Sequence, residues 1–236
     1  MPEKKPHILL LISDEHRPDV LPVEGNEIVR TPVLDRFIEE GVYFRNAYTP
    51  SPVCVPARQS FLSGLYPRNS GCLDFSTALP SEVLTIPGHL SRYGYRAVAA
   101  GKMHFRGPDQ MHGWHERIGR DISGRNGYEL VDDPEHSALV EPEPGTGMYS
   151  VINTPNSKFA KEVMNARAGE GHWMRHDRYS VDGMLHFLDE YFANEGYDRP
   201  GAQPLLLAVS LSCPHYPYQC PKDLFDYYLR RVEPIV

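Results

Sequence analysis

The sequence predicts an α/β fold with a mostly parallel sheet sandwiched by helices. Three observations carry that expectation. Short, continuous apolar runs such as His7–Ser13 (HILLLIS) and Pro204–Ser212 (PLLLAVSLS) have the length and composition of strands covered on both faces. Segments with helical spacing alternate with them along the chain. Polar clusters follow three strands directly: Asp14-Glu15-His16, Lys102-Met103-His104 and Cys213-Pro214-His215. In open parallel sheets, binding sites gather at the carboxyl ends of strands, so the three clusters predict one shared site.

The elements follow in order. His7–Ser13 reads as a buried strand rather than a leader, because Asp14 and Glu15 stand where a small-residue cleavage site belongs. If nothing precedes Met1, that arrangement predicts a cytoplasmic protein. Thr31–Gly41 reads as a helix, with Thr31 as N-cap, Pro32 in the first turn and Gly41 at the end. Val42–Tyr48 reads as a strand, Pro56–Gly64 as a second helix, Ile86–Gly94 as a third, and Tyr95–Gly101 as the strand behind it. Residues 106–175 are rich in Gly, Pro, His and charge, and predict surface loops of the kind that select substrates. Arg178–Gly196 recovers helical spacing, with Val181, Leu185, Leu188 and Phe192 on one face, and Pro204–Ser212 closes the set.

Composition narrows the function. The chain has 236 residues, a hydrophobic fraction of 41% and a formal net charge of −7. That is enough apolar material for a sizeable core, and the negative balance argues against generic binding to nucleic acid or anionic membranes. No run is long enough to span a bilayer. An anionic substrate would need a locally basic pocket or a bound cation. The four cysteines, Cys54, Cys72, Cys213 and Cys220, form no C-x-x-C pair and are expected to be free thiols.

Residues 51–64 read SPVCVPARQSFLSG and contain C-x-P-x-R as Cys54, Pro56 and Arg58. GYRAVAAGKMH follows at 94–104, and SCPHYP at 212–217. Together, and in this order, these segments resemble the formylglycine-dependent sulfatase family of the alkaline-phosphatase-like superfamily, and the resemblance runs nearly the full chain. The segment 101–118 (GKMHFRGPDQMHGWHERI) is also similar to the choline-sulfatase branch.

The resemblance implies an N-terminal catalytic domain over 1–236, with 106–175 as its substrate-determining insertion. It implies that Cys54 is oxidised to formylglycine by a separate formylglycine-generating enzyme. The hydrated aldehyde then attacks sulfur through one hydroxyl, and the other expels sulfate. A bound divalent ion, Ca2+ in the family, would be held by Asp14, Glu15 and the modified Cys54. Glu15 stands where many relatives have Asp. Arg58 would orient the formylglycine, Lys102 would clamp sulfate, His104 would act as base on the diol, and His215 would assist the leaving group. The chemistry suits these residue types, since a sulfate monoester needs a strong nucleophile, cationic clamps and an acid. The positive end of the helix containing Pro56 suits an anion beside Cys54.

The implied partner is a small-molecule or carbohydrate sulfate ester. The family's later ligands, an Asp followed by His or Asn and then a second Lys, do not follow His215 before Val236, which predicts a C-terminally truncated chain. Two other readings stay open: a related metal-dependent phosphodiester or phosphonate ester hydrolase, and a non-catalytic remnant.

Several residues invite weaker readings. His112, His115, His172 and His176 include a helical ligand spacing but lack an acidic or cysteine partner, and are expected to be surface loop histidines rather than zinc ligands. Trp114 and Trp173 are expected to pack loops rather than stack on a ligand.

Overall fold

A computed structural model of the chain describes residues 5–119, 166–194, 199, 201–216 and 218–232. Four strands form the main sheet: β1 (Ile8–Ser13), β2 (Arg96–Gly101), β3 (Glu116–Ile118) and β5 (Leu205–Leu211). Their order is β1-β5-β2-β3, and every pairing is parallel. A two-stranded parallel ladder joins β4 (Arg167–Ala168) to β6 (Gln219–Cys220). The helices are α1 (Pro32–Glu40), α2 (Cys54–Ser63), α3 (Pro67–Ser70), α4 (Ile86–Ser91), α5 (His172–Asn194) and α6 (Lys222–Leu229). None among the described residues is long and apolar enough to cross a membrane.

Strand periodicity sorts the core into two layers. Ala97, Ala99, Leu206 and Ala208 face one side and pack with Leu62 of α2, Met103, Phe105 and Trp114, while Ile8, Ile86 and Leu90 close the rim. Val98, Ala100, Leu205, Leu207 and Val209 face the other side and pack under Met184, Phe187 and Tyr191 of α5. The result is the expected sheet between helical layers. The small residues of β2 let α5 approach closely. A Cβ added at Gly183 of α5 would lie 2.5 Å from Ile118 Cγ2 of β3. Gly101 closes β2 at φ +81°, and a Cβ there would lie 2.2 Å from the Ser210 carbonyl oxygen.

Four expectations need correction. First, among the described residues β1 is an edge strand in which half-buried and exposed residues alternate: Leu9 is 56% and Leu11 58% exposed. An apolar run reports residue type, and only the layers packed on the sheet decide how many faces are covered. Second, Val42–Tyr48 forms no strand, and Val42, Phe44 and Tyr48 are exposed. Apolar and aromatic residues favour a strand only where a neighbouring strand completes the ladder. Third, α5 begins at His172, six residues ahead of the expected start. Its buried face carries Trp173, His176, Asp177, Ser180, Met184, Phe187 and Tyr191, whereas Leu185 and Phe192 are exposed. Fourth, residues 106–175 are not loop throughout, since β3, β4 and the first turn of α5 lie inside them. The middle of that stretch, residues 120–165, lies outside the described residues, as does Pro217 of the SCPHYP segment.

Helix starts follow local chemistry. Thr85 caps α4 by accepting the Gly88 N–H at 3.2 Å. Thr31 sits at the cap position of α1, but its hydroxyl donates to Asp35 Oδ1 at 2.8 Å instead. Cys54 is the first residue of α2, Pro56 lies in its first turn, and Gly64 ends it in the left-handed conformation.

Candidate active site

The three polar clusters meet at the carboxyl edge of the sheet. β1 delivers Asp14, β2 delivers Lys102, β5 delivers Ser210 and the turn to His215, and α2 points its first turn at them. Arg58 ties these elements together. Its guanidinium donates to the Lys102 carbonyl at 2.7 Å, to Ser210 Oγ at 2.7 Å and to Asp14 Oδ1 at 3.1 Å. Lys102 Nζ donates to Asp14 Oδ2. Asp14, Arg58 and Lys102 thus form a nearly dry ion cluster, with Asp14 7% and Lys102 3% exposed. Ser13 Oγ donates to the Cys213 carbonyl at 2.9 Å and fixes the end of β1 to the end of β5.

Cys54 heads α2 one helical turn before Arg58. It lines a cleft of about 180 Å³ with Asp14, Arg58, Phe61, Leu62 and Met103. Burial pushes its thiol above the ordinary range, with Lys102 and Arg58 opposing and Asp14 reinforcing. At neutral pH it is therefore a thiol and not a thiolate, a weak nucleophile as encoded. Asp14 shows the opposite balance. Burial alone would raise its carboxyl, but Lys102 and Arg58 outweigh it and hold the group below the ordinary carboxylate value.

His215 is 5% exposed. Its Nδ1 lies 2.6 Å from the Tyr216 carbonyl, which can only accept, so Nδ1 carries the proton and Nε2 keeps its lone pair. Nε2 lies 3.6 Å from Glu15 Oε1. Burial first, and the Lys102 charge second, push the imidazole down to about 4. It is neutral at pH 7. Burial and the Asp14 charge push the Glu15 carboxyl up. Glu15 (φ 56°) and His104 (φ 60°) both adopt the left-handed region in the turns that follow β1 and β2, a strain that clusters at functional sites. The His104 ring is fully buried and stands edge-on to Phe75 at 4.8 Å, while Gln59 Nε2 donates to its carbonyl at 3.3 Å.

Asp14, Glu15 and His215 offer ligand atoms within 4.8 Å of one another. Two carboxylates and a neutral imidazole nitrogen suit a divalent cation. The two carboxylates supply part of the six to eight oxygens that calcium takes. Among the described residues this donor group differs from the expected Asp14, Glu15 and Cys54 by one member. His215 is in it, and the Cys54 sulfur is not. The shared site expected of the Asp14-Glu15 and Cys213-Pro214-His215 clusters brings them together, but the sequence does not mark His215 as a donor beside Glu15.

Other expectations separate cleanly. His112 and His176 are buried rather than surface histidines. His176 Nε2 lies 3.0 Å from the Gly119 carbonyl, and the His112 ring packs on Phe105 at 4.5 Å between centroids. His115 is exposed, as expected. Trp114 packs in the core, but Trp173 reaches the site, with its ring centroid 5.6 Å from Lys102 Nζ and 5.4 Å from the His215 ring. All four cysteines are free.

A three-layer parallel α/β sandwich with an ion cluster and a group of carboxylate and imidazole donors at its carboxyl edge places the chain among open α/β proteins that carry their sites at strand ends. The sulfatase family model matches residues 6–234, and the chain belongs to that family. It is 29% identical to the choline-sulfatase of Rhizobium meliloti (strain 1021) over 227 residues, 95% of this chain and 41% of that protein. It is 28% identical to the arylsulfatase of Clostridium perfringens (strain 13 / Type A) over 230 residues, 95% of this chain and 46% of that protein. The chain therefore spans less than half the length of these curated relatives. Among solved structures, the phosphonate monoester hydrolase of Agrobacterium radiobacter shares the fold with a TM-score of 0.65 at 18% identity, covering 98% of this chain and 45% of that one. A protein solved with its substrate D-glucosamine-2-N,6-O-disulfate matches with a TM-score of 0.63 at 18% identity, covering 98% and 39%.

Proposed function

We propose that the protein hydrolyses the sulfate ester of a small molecule or carbohydrate, with Cys54 as the position converted to formylglycine. Family membership supports the reaction class. The observation that carries the site is the convergence of Cys54, Arg58 and Lys102 on one buried point, with Asp14 held between the two cations. The unmodified thiol is protonated at neutral pH, which supports conversion over direct thiolate attack. Formylglycine would supply the oxygen nucleophile. A divalent cation such as Ca2+ would be held by Asp14, Glu15 and His215, and would lower the pKa of an oxygen bound to it.

The chain's own residues do the remaining work. Lys102 and Arg58 present positive charge to the ester oxygens from a nearly water-free cluster, where each charge is worth more than at the surface. Asp14 balances them in the resting state, so an arriving anion exchanges one partner for another. His215, neutral with Nε2 unprotonated, is set to ligate or accept. Donation to a leaving oxygen would first need a proton brought to it by the anionic substrate's charge. His104 closes the β2 turn behind Lys102, and we assign it the base role on the strength of that position.

The test is release of inorganic sulfate from an aryl sulfate with calcium present, by protein co-expressed with a formylglycine-generating enzyme. Turnover that Cys54→Ala abolishes is expected. Lys102→Ala should lower kcat/KM by about 10²–10³-fold through lost oxyanion stabilisation. A Lys102→Ala variant as fast as the parent would remove that residue from the site. The fold shared with a phosphonate monoester hydrolase motivates a second substrate arm. Faster turnover of a phenyl phosphonate than of the sulfate would replace the sulfatase reading. No turnover of either ester by converted protein would favour a non-catalytic remnant.

A further inference from the structure

The start of α5 takes part in the site without supplying any residue that the motifs mark. We propose that Trp173 and Asp177, one helical turn apart on its buried face, are positioning residues that set His215 in place and fix which of its nitrogens carries the proton. The inference rests on the proposed function for what His215 then does.

The contacts form a two-point clamp on the turn that leaves β5. Asp177 uses both carboxylate oxygens on consecutive amides: Oδ1 accepts the Ser212 N–H at 2.7 Å, and Oδ2 accepts the Cys213 N–H at 2.8 Å. Four residues earlier, Trp173 Nε1–H donates to the Tyr216 carbonyl at 3.0 Å. His215 lies between the two clamped points. Its own Nδ1–H donates to that same Tyr216 carbonyl at 2.6 Å. A carbonyl oxygen has two lone pairs, and here the indole and the imidazole share them. The Trp173 bond thus steadies the acceptor that holds His215 in its Nδ1-protonated form, with Nε2 directed toward Glu15. The Trp173 ring adds a wall, set 5.4 Å from the His215 ring.

Simple helix packing does not require this arrangement. A carboxylate 7% exposed is costly to bury unless charge or hydrogen bonds compensate, and Asp177 sends both oxygens to backbone outside its own helix. The helix carrying the clamp is itself fixed against the sheet. Gly183 touches Ile118, and Ser180 fills the space that side chains at Gly101 and Gly119 would need. Partners that orient a functional imidazole from a rigid element act at one remove from the chemistry, and their loss commonly lowers activity or metal affinity by about 10–100-fold.

Two substitutions test the proposal on protein carrying converted Cys54. Asp177→Asn keeps one acceptor and loses the other. Trp173→Phe keeps a ring beside His215 and loses the N–H. The readouts are amide hydrogen exchange across 211–216 and the split between kcat and KM for the aryl sulfate. Asp177→Asn is expected to speed exchange at Ser212 and Cys213 while leaving the 184–194 part of α5 as protected as in the parent. It should lower kcat by about 10-fold or more at nearly constant KM. Trp173→Phe should give a smaller fall in kcat, with faster exchange toward Tyr216. Unchanged exchange across 211–216 in both variants would overturn the clamp. So would a kcat loss no larger than the loss of folded protein, which is what a merely structural role predicts. The exchange arm needs no turnover, so it decides the clamp even where sulfate release fails in the parent. Should Asp177→Asn not fold, Trp173→Phe decides alone.

Discussion

Leu9 of β1 and Leu207 of β5 are Cα partners in adjacent parallel strands, and both project toward the α5 side of the sheet. Leu207 is 5% exposed, and Leu9 is 56% exposed. Both strands end in the same site, one supplying Asp14 and the other Ser210 and His215. The difference teaches that, among the described residues, the site edge draws on one strand deep in the core and one at the rim of the sheet. The rim end is then held by ionic and polar contacts rather than by packing. Asp14 is gripped by Lys102 and Arg58, and Ser13 by the Cys213 carbonyl.

The largest expected effect breaks the central member of the pair. Leu207→Ala should cost about 2–5 kcal/mol by opening a cavity under α5, read as a lower urea midpoint. Acid should act next, through the turn that follows β5. The His215 imidazole titrates at about 4 when folded, against an ordinary 6.5. The unfolded chain therefore binds more protons between those values, and stability falls as pH drops from 6.5 toward 4. At about 1.4 kcal/mol per unit, His215 alone should account for about 3 kcal/mol of that loss with EDTA present. Urea titrations at stepped pH should show His215→Gln to be flatter over this window. A parallel slope in the two proteins would place the imidazole in water.

Glu15→Gly should raise stability by about 0.5–1 kcal/mol, because Gly adopts φ 56° without the left-handed penalty and loses only part of that gain to chain entropy. The same change should weaken calcium binding, measured by titration calorimetry, if Glu15 is a donor. The smallest effect belongs to the rim. Leu9→Ala on this chain should shift stability by less than about 0.5 kcal/mol, and a loss matching Leu207→Ala would show that something covers β1.

Much of this was legible in the sequence, for identifiable reasons. Runs such as PLLLAVSLS and the polar clusters behind them give strands and strand ends directly, and C-x-P-x-R places Cys54 and Arg58 a helical turn apart. Sequence does not give the order of strands, so HILLLIS looks like a central strand, whereas among the described residues it is an edge. Val42–Tyr48 has strand composition but pairs with no neighbour among the described residues. The start of α5 was hidden because its buried positions hold His176, Asp177 and Ser180. A search for apolar spacing skips such residues and settles on Leu185 and Phe192, which face solvent. The same blindness concealed Trp173 and Asp177 at the site. A buried polar face is recognisable only once its hydrogen-bond partners are known.

Arg58 has a consequence of another kind. Its hydrogen bonds reach the end of β1, the end of β2 and the end of β5 at once, from a helix whose first residue is Cys54. A molecule in which any one of those strands is out of register cannot assemble the cationic pocket. The guanidinium thus acts as a built-in register check: the charged cluster is complete only when all three strand ends are correctly threaded.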